Sequence, residues 1–447
     1  MKLPNIRQGT AATALLCTAL TAHGCASSAP EPSTPGWTAE DSDRLVALHE
    51  RHRLPGLEDR RFGYDAYWEA VLPTISENPI FRVDTAGKSA EGRAIRRVSF
   101  GEGPVPVLLW SQMHGNESTA SMALADLFSF LGSEPDHPLA TTLGQALTLH
   151  LIPMLNPDGA ERFQRRNAQG VDVNRDARAL VTPEARALKD TRDQVEPAFA
   201  FNLHDQGIGT RVGNSDRGAA IALLSPPAGP SREVNDVRRA AIEVAGVIRQ
   251  AVNPLVPGHV ARYDDTFEPR AFGDLITQWG ASTILVETGG WAGDTQKQYL
   301  RQVNFVGILA ALESIATGRH EGVPQTVYTS LPMNGRRIAD LKLSGGTLVI
   351  AGLPPLRADV LVGYADNLAR TGGSISDIGD LAETEAMDTV DLAGRFLHPF
   401  GPALDAADGG QLQPGAPAHF RITEDEAGSR LLWIFEGGPP PEETGGH

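Results

Sequence analysis

Cysteine is almost absent from this sequence. Of 447 residues only Cys17 and Cys25 are cysteines, and both fall at the N-terminus. A chain processed after that point has no disulfide to form, so its core, and any metal it holds, must carry its stability. Lysine- and arginine-rich runs are missing too, and the formal charge is −16. That combination argues against a nucleic-acid partner. The acidic balance by itself says nothing about the charge of a substrate. The apolar run Ala11–Ala22 is too short to span a bilayer comfortably. No internal repeat is visible.

What is present begins with that run. Lys2 and Arg7 precede it, and Gly24-Cys25 closes it ahead of a Ser/Pro-rich stretch to Gly36. The pattern has the shape of an export signal and resembles a bacterial lipoprotein signal, in which the cysteine becomes the lipidated first residue. Ala22 and His23 depart from the usual residues before that cysteine. The expectation is a signal over 1–24, a linker over 25–36, and a lipid anchor on Cys25 or plain secretion. The chain would then sit in a bacterial periplasm or cell envelope, with the membrane as a partner through its anchor.

At this length the chain can hold one large domain and one small one. Residues 37–90 read as a helical lead-in, with helical spacing of apolar residues over Ala39–Glu50. Ala94–Phe100 and Val105–Trp110 read as strands joined by Gly101–Pro104, an expected antiparallel pair. Glu117–Phe128 reads as the helix that follows. Thr148–Pro153, Ala198–Leu203 and Ser282–Glu287 are further strands, and Pro183–Asp190, Val234–Val252 and Thr295–Ala316 further helices. Strands alternating with helices indicate an α/β fold: a mixed, largely parallel sheet sandwiched by helices, over 37–322. From about Val323 short strand patterns are split by Gly and Pro, as in Ile338–Leu343, Gly346–Ile350 and Ala358–Tyr364. They predict a small β domain over 323–435, and the Gly/Pro/Glu-rich remainder, 436–447, reads as a disordered tail.

The chemistry concentrates at strand ends. His114 and Glu117 stand three residues apart just after an apolar strand, so one helical turn would aim both at one point. An imidazole and a carboxylate are two thirds of a His₂Glu zinc site, although a bare His-x-x-Glu arises by chance about once in such a chain. His204 ends a second apolar strand, where a histidine is either a satisfied core or rim residue or the third donor. Glu287 ends a third, where a carboxylate is paired, exposed, or a base acting on water. Between them the polar loop after Asn156–Gly159 carries Arg165, Arg166 and Arg175, guanidinium forks suited to an anion.

The ordered set HGNE (114–117), NPDG (156–159), RRNAQGVDVNRD (165–176), NLHDQ (202–206) and ILVETGG (284–290) resembles the zinc carboxypeptidase family, the carboxypeptidase A-like metallopeptidases, over roughly residues 60–316. The resemblance implies one zinc ion per chain held by His114, Glu117 and His204. Glu287 would activate the zinc-bound water, and Asp172 would orient His114 from behind. Arg165, or else Arg166, would steady the oxyanion. Asn174 and Arg175 would grip the free C-terminal carboxylate of a peptide substrate. Tyr263 would be the counterpart of the family's mobile tyrosine or else a packing residue, and Arg270 a further carboxylate contact or only a salt bridge. The sequence departs from the family pattern at NRD and NLHDQ, and no motif marks the pocket that would read the terminal side chain. Two other readings stay open: a zinc amidase acting on cell-wall peptides or γ-glutamyl links, and an inactive envelope binding protein. Gly345–Val349 with Ile375–Asp380 and Asp391–Arg395 resembles the small β-sandwich of amidohydrolases, with no activity implied.

Overall fold

The computed structural model describes residues 37–404 and 412–441. The expected signal, the linker with Cys25, and the last six residues of the expected tail lie outside them. Helices run over α1 (Ala39–His52), α2 (Tyr64–Ile75), α3 (Thr119–Ser133), α4 (Pro138–Ala146), α5 (Pro157–Glu161), α6 (Pro183–Val195), α7 (Asp236–Val252), α8 (Phe272–Gln278), α9 (Gln298–Thr317) and α10 (Gln325–Thr329). Strands up to residue 288 are β1 (Phe81–Lys88), β2 (Ala94–Phe100), β3 (Val105–Ser111), β4 (Leu147–Ile152), β5 (Phe199–Asp205), β6 (Thr210–Val212), β7 (Ile221–Leu224), β8 (Val260–Arg262) and β9 (Ser282–Thr288).

All of these strands except β6 form one eight-stranded sheet in the order β1-β2-β4-β3-β5-β9-β7-β8. Its centre, β4-β3-β5-β9, is parallel, and antiparallel pairings occur toward both sides. The central strands are apolar on both faces because both faces are covered. Side chains alternate along β3, so Val107 and Leu109 enter one core with Phe201 and Val286. Leu108 and Trp110 enter the other with Ala200, Leu188 and Ile276. Helices α1, α3, α7 and α9 pack on one another over the first core, and α6 and α8 border the second. The chain leaves β3 for β4 on one side and then returns to β5 on the other. The carboxyl ends of β3 and β5 therefore diverge, which opens a crevice at the place where such sheets bind ligands.

After α10 the strands are β10 (Asn334–Arg337), β11 (Ala339–Ser344), β12 (Thr347–Leu348), β13 (Leu356–Arg357), β14 (Asp359–Gly363), β15 (Ser374–Gly379), β16 (Ala386–Asp391), β17 (Phe396–Pro399), β18 (His419–Thr423) and β19 (Leu431–Glu436). They form a four-stranded sheet, β15-β14-β11-β16, and a five-stranded sheet, β13-β12-β17-β18-β19. Leu341, Val360 and Ile375 of the first share a core with Leu397, Phe420 and Phe435 of the second. β10 instead pairs with β6, so the C-terminal segment is stitched to the α/β part by backbone hydrogen bonds.

Four expectations are corrected. β2 and β3 are not paired: β4 lies between them, because its register with both buries Leu149 and Leu151 against the helical layer. Residues 37–90 are not wholly helical, since Phe81–Lys88 forms the edge strand β1 on β2. Glu117 is not in the first turn of a helix: it lies in the turn before α3, whose N-cap is Ser118. The expected disordered tail begins with ordered residues, because the Gly437 carbonyl accepts from Gly373 N at 2.8 Å and that of Gly438 from the Tyr364 hydroxyl at 3.0 Å.

Candidate metal centre

The turn after β3 is shaped by close backbone packing. A Cβ at Gly115 would lie 1.9 Å from the carbonyl carbon of Gly159, so only glycine lets this turn rest on α5. Asn156, the N-cap of α5, accepts from Gly159 N at 2.9 Å and donates through Nδ2 to Met113 O at 3.2 Å. The NPDG segment thus holds the residue next to His114, a supporting role that its reading as a plain turn misses.

The structure brings His114, Glu117 and His204 together, all buried, with one donor atom from each lying within 4.8 Å of the others. Nδ1 of His114 faces Glu117 Oε1 at 2.8 Å, and Nδ1 of His204 faces Oε2 at 2.6 Å. On its other side His114 pairs through Nε2 with Asp172 Oδ1 at 3.0 Å. Asp172 also accepts from Asn174 N at 2.9 Å, and its Oδ2 takes Nε and Nη2 of Arg165 at 3.1 and 2.9 Å. One carboxylate therefore orients both a ring and a guanidinium.

The electrostatics are those of a site built for a cation. Burial lowers His114, but the Glu117 and Asp172 carboxylates outweigh it and raise the imidazole to about 9. Burial raises Glu117, and the two imidazoles overcome it, holding its carboxyl far below the usual range. His204 is shifted down by burial, which favours the neutral ring that ligates metals. Two imidazole nitrogens and a carboxylate oxygen, with a carboxylate behind one ring, fit zinc by number and chemistry.

Glu287 is buried on β9, level with His204 in the ladder. Burial, then the charge of Glu117, pushes its carboxyl well above its ordinary range. Arg165 is half-exposed, and its Nη1 reaches Glu117 Oε1 at 3.3 Å and His114 Nδ1 at 3.1 Å. Arg166 instead donates to Gly170 O at 2.9 Å, outside this cluster. Asn174 is buried, with Nδ2 3.4 Å from His204 Nε2 and Oδ1 accepting from Phe272 N at 3.0 Å. The Arg175 guanidinium lies 3.5 Å from Glu268, which Arg270 holds through two bonds of 2.9 and 3.0 Å. Arg270 is thus engaged in a salt bridge. Tyr263 packs against the small cluster of Val212, Ala219, Ala222 and Ala261, and its phenol is raised by the Glu287 charge and by burial.

Both departures from the family pattern have structural partners. Asp176, the D of NRD, accepts from Val181 N, Thr182 N and the Thr182 hydroxyl and fixes the entry to α6. Asp205, the D of NLHDQ, binds Lys297 Nζ at 3.0 Å and the Thr119 hydroxyl at 2.7 Å. It ties the ends of β5 and α9 to the start of α3.

Comparison with known proteins agrees with this geometry. Residues 69–203 match the family model described as zinc carboxypeptidase. Mouse (Mus musculus) carboxypeptidase M is 28% identical over 172 residues, covering 33% of this chain and 39% of that protein. The catalytic chain of human (Homo sapiens) carboxypeptidase N is 30% identical over 138 residues, covering 26% and 30%. The chain spans between about a quarter and two fifths of the length of the first curated relatives it matches. Among solved structures, a metallo-carboxypeptidase from Burkholderia cenocepacia aligns at 19% identity and a TM-score of 0.45, covering 57% of this chain and 70% of that one. The matched residues 69–203 hold the His114–Glu117 pair and Asp172, so the similarity to the zinc carboxypeptidase family falls on the candidate metal centre.

Proposed function

We propose that this chain is a zinc-dependent metallocarboxypeptidase that removes C-terminal residues from peptides. The observation that carries the reading is the convergence of His114, Glu117 and His204 within 4.8 Å, beside buried Glu287. The Nδ1 atoms of the two histidines and the Glu117 carboxylate would hold one zinc ion. Bound there, zinc supplies Lewis-acid polarisation of the scissile carbonyl and a water acidic near pH 7.

The chain's own groups do the rest. Glu287 takes a proton from the attacking water as its oxygen bonds to the carbonyl carbon, then gives a proton to the leaving amine as the C–N bond breaks. Arg165, fixed by Asp172, places a positive charge where the oxyanion develops. Asn174 and Arg175 anchor the terminal carboxylate, and Tyr263 lines the same side near Glu287. Support for the anchor is the position of Asn174 beside His204 and the 40% exposure of the Arg175 side chain, whose Nη1 is held by the Asn174 carbonyl at 2.8 Å.

The proposal extends to organisation and location, on sequence alone: an exported chain, lipidated at Cys25 or secreted, with a catalytic domain over 37–322 and a β domain over 323–435. Among the described residues no helix is long and apolar enough to cross a membrane.

The test is zinc content of the purified protein beside Glu117→Ala, with a mixed peptide library followed by mass spectrometry. One zinc per chain and trimming from the C-terminus, both lost in the variant, are expected. Zinc without trimming would move the substrate to cell-wall peptides, γ-glutamyl links or another amide. Absence of zinc in both proteins after incubation with the metal would sink the site assignment.

A further inference from the structure

The metal site opens into a cleft of about 340 Å³ whose walls come from both parts of the chain. Glu117, Arg165 and Gln206 line it from the α/β part, and Tyr364, Asp366 and Leu368 from the loop after β14. A second cavity, of about 530 Å³, shares Ile208, Tyr364, Asn367 and Leu368 with the first. Its far wall includes Trp291, His259 and Met387. The two cavities adjoin along these four residues and together make a groove beside the metal site. Asn174, Arg175 and Tyr263 line neither part. The groove thus leaves the site on a side other than the carboxylate anchor, where the rest of a bound peptide must go.

The charged groups along the second cavity are largely engaged within the protein. Arg370 pairs with Asp388 at 2.9 Å. Asp294 accepts from Gln298 N and Leu300 N at 2.7 and 2.9 Å, and Asp340 from Tyr364 N at 2.8 Å. Most of what remains to meet a ligand is the apolar surface of Trp291, Ile208, Leu368 and Met387. The loop that completes the wall is fixed in place. Asp366 accepts from Leu368 N and Ala369 N and is ion-paired with buried Arg60. Arg60 in turn donates to Gln296 Oε1 and Thr295 O, and its carbonyl accepts from Ser118, the residue after Glu117, at 2.7 Å.

We infer that the C-terminal β segment is part of the substrate site: with Trp291 it forms a subsite for an apolar side chain of the peptide upstream of the scissile bond. This rests on the proposed peptidase reading. Zinc-loaded full-length protein is given a blocked dipeptide, too short to enter the groove, and two octapeptides ending in the same two residues. One octapeptide carries leucine and phenylalanine upstream, the other glycine and serine. The apolar octapeptide should have about tenfold higher kcat/KM, the scale expected of a hydrophobic pocket. That ratio should fall toward one in Met387→Asp and in Leu368→Asp and be kept in Met387→Leu. Calorimetry of both octapeptides with the Glu287→Gln protein should give the same preference in binding. A missing preference, or one that survives both aspartate substitutions, overturns the inference. If no substrate is cut but the binding preference is present and lost in the variants, the peptidase reading fails while the subsite stands.

Discussion

His204 and Glu287 are direct neighbours in the parallel ladder between β5 and β9, one pairing short of the ladder's end. Residues level with one another on adjacent parallel strands project to the same face. The proposed third metal donor and the proposed base are therefore set side by side by sheet register, without any loop having to carry them. His114 and Glu117 arrive from β3, the next strand on the other side of β5, so three strands converge on one centre. Sites built on strands hold geometry better than sites built on loops.

Because Asp172 sets the ring of His114, Asp172→Asn should weaken zinc affinity by about 10–100-fold without abolishing binding. Competition against a chelator of known affinity measures this. An unchanged affinity would mean that packing alone orients the ring.

Arg165 and Arg166 are adjacent in sequence but have different surroundings. Arg165→Lys should lower kcat by about 10²–10³-fold, as expected when an oxyanion partner is lost. Arg166→Lys should stay near wild type, since its guanidinium donates to the Gly170 carbonyl, away from the metal site. Steady-state kinetics on one peptide distinguishes the two, and equal losses would reverse the assignment.

Two buried groups away from the metal site should shape acid stability in opposite directions. Burial, helped by Arg97 and Arg82, lowers His150 to about 4, against 6.5 for the free side chain. Its unfolded form takes a proton first, so stability falls as pH drops from about 6.5 to 4, by up to roughly 3 kcal/mol. Burial raises Asp274 to about 6, above its ordinary 3.8. Its folded form takes the proton first, so a cost of up to roughly 3 kcal/mol present above pH 6 disappears toward pH 4. In urea unfolding at pH 4.5 and 7, His150→Gln should flatten the acid loss. Asp274→Asn should stabilise at pH 7 and deepen that loss.

Asp126 and Arg301 are both fully buried. Asp126 also accepts from Leu54 N at 2.7 Å, and Arg301 donates to Leu54 O at 2.8 Å and Leu57 O at 3.1 Å. The pair joins α3, α9 and the chain between α1 and α2. Asp126→Ala strands a buried guanidinium and should cost about 3–5 kcal/mol. An unfolding free energy from denaturant titration within about 1 kcal/mol of wild type would show that water or another carboxylate compensates.

What could be read from the sequence was local. His114, His204 and Glu287 were visible because each ends or follows an apolar run whose length and pattern define a strand. Sheet order was not visible: inserting β4 between β2 and β3 depends on pairings between segments about fifty residues apart. The turn containing Glu117 was read as helix because Ser118, its true boundary, has no distinctive pattern around it. Gly115 and Asn156 could be named from their motifs, but their work is a mutual backbone approach that spacing does not encode. The loop at Tyr364–Leu368 carried no signal at all, since its place over the metal site follows from how the last sheets are attached.

The packing of α1 on α9 bears on how the chain is made. α1 lies against α9, with Arg44 bonded to Glu313 from 269 residues away. At about 5–20 residues per second, roughly 15–50 s of synthesis separate the two. Throughout that interval Leu45 and Leu48 have no α9 to cover them. A nascent chain interrupted before Glu313 can cover α1 with α3 and α7 but leaves the side that faces α9 open to solvent.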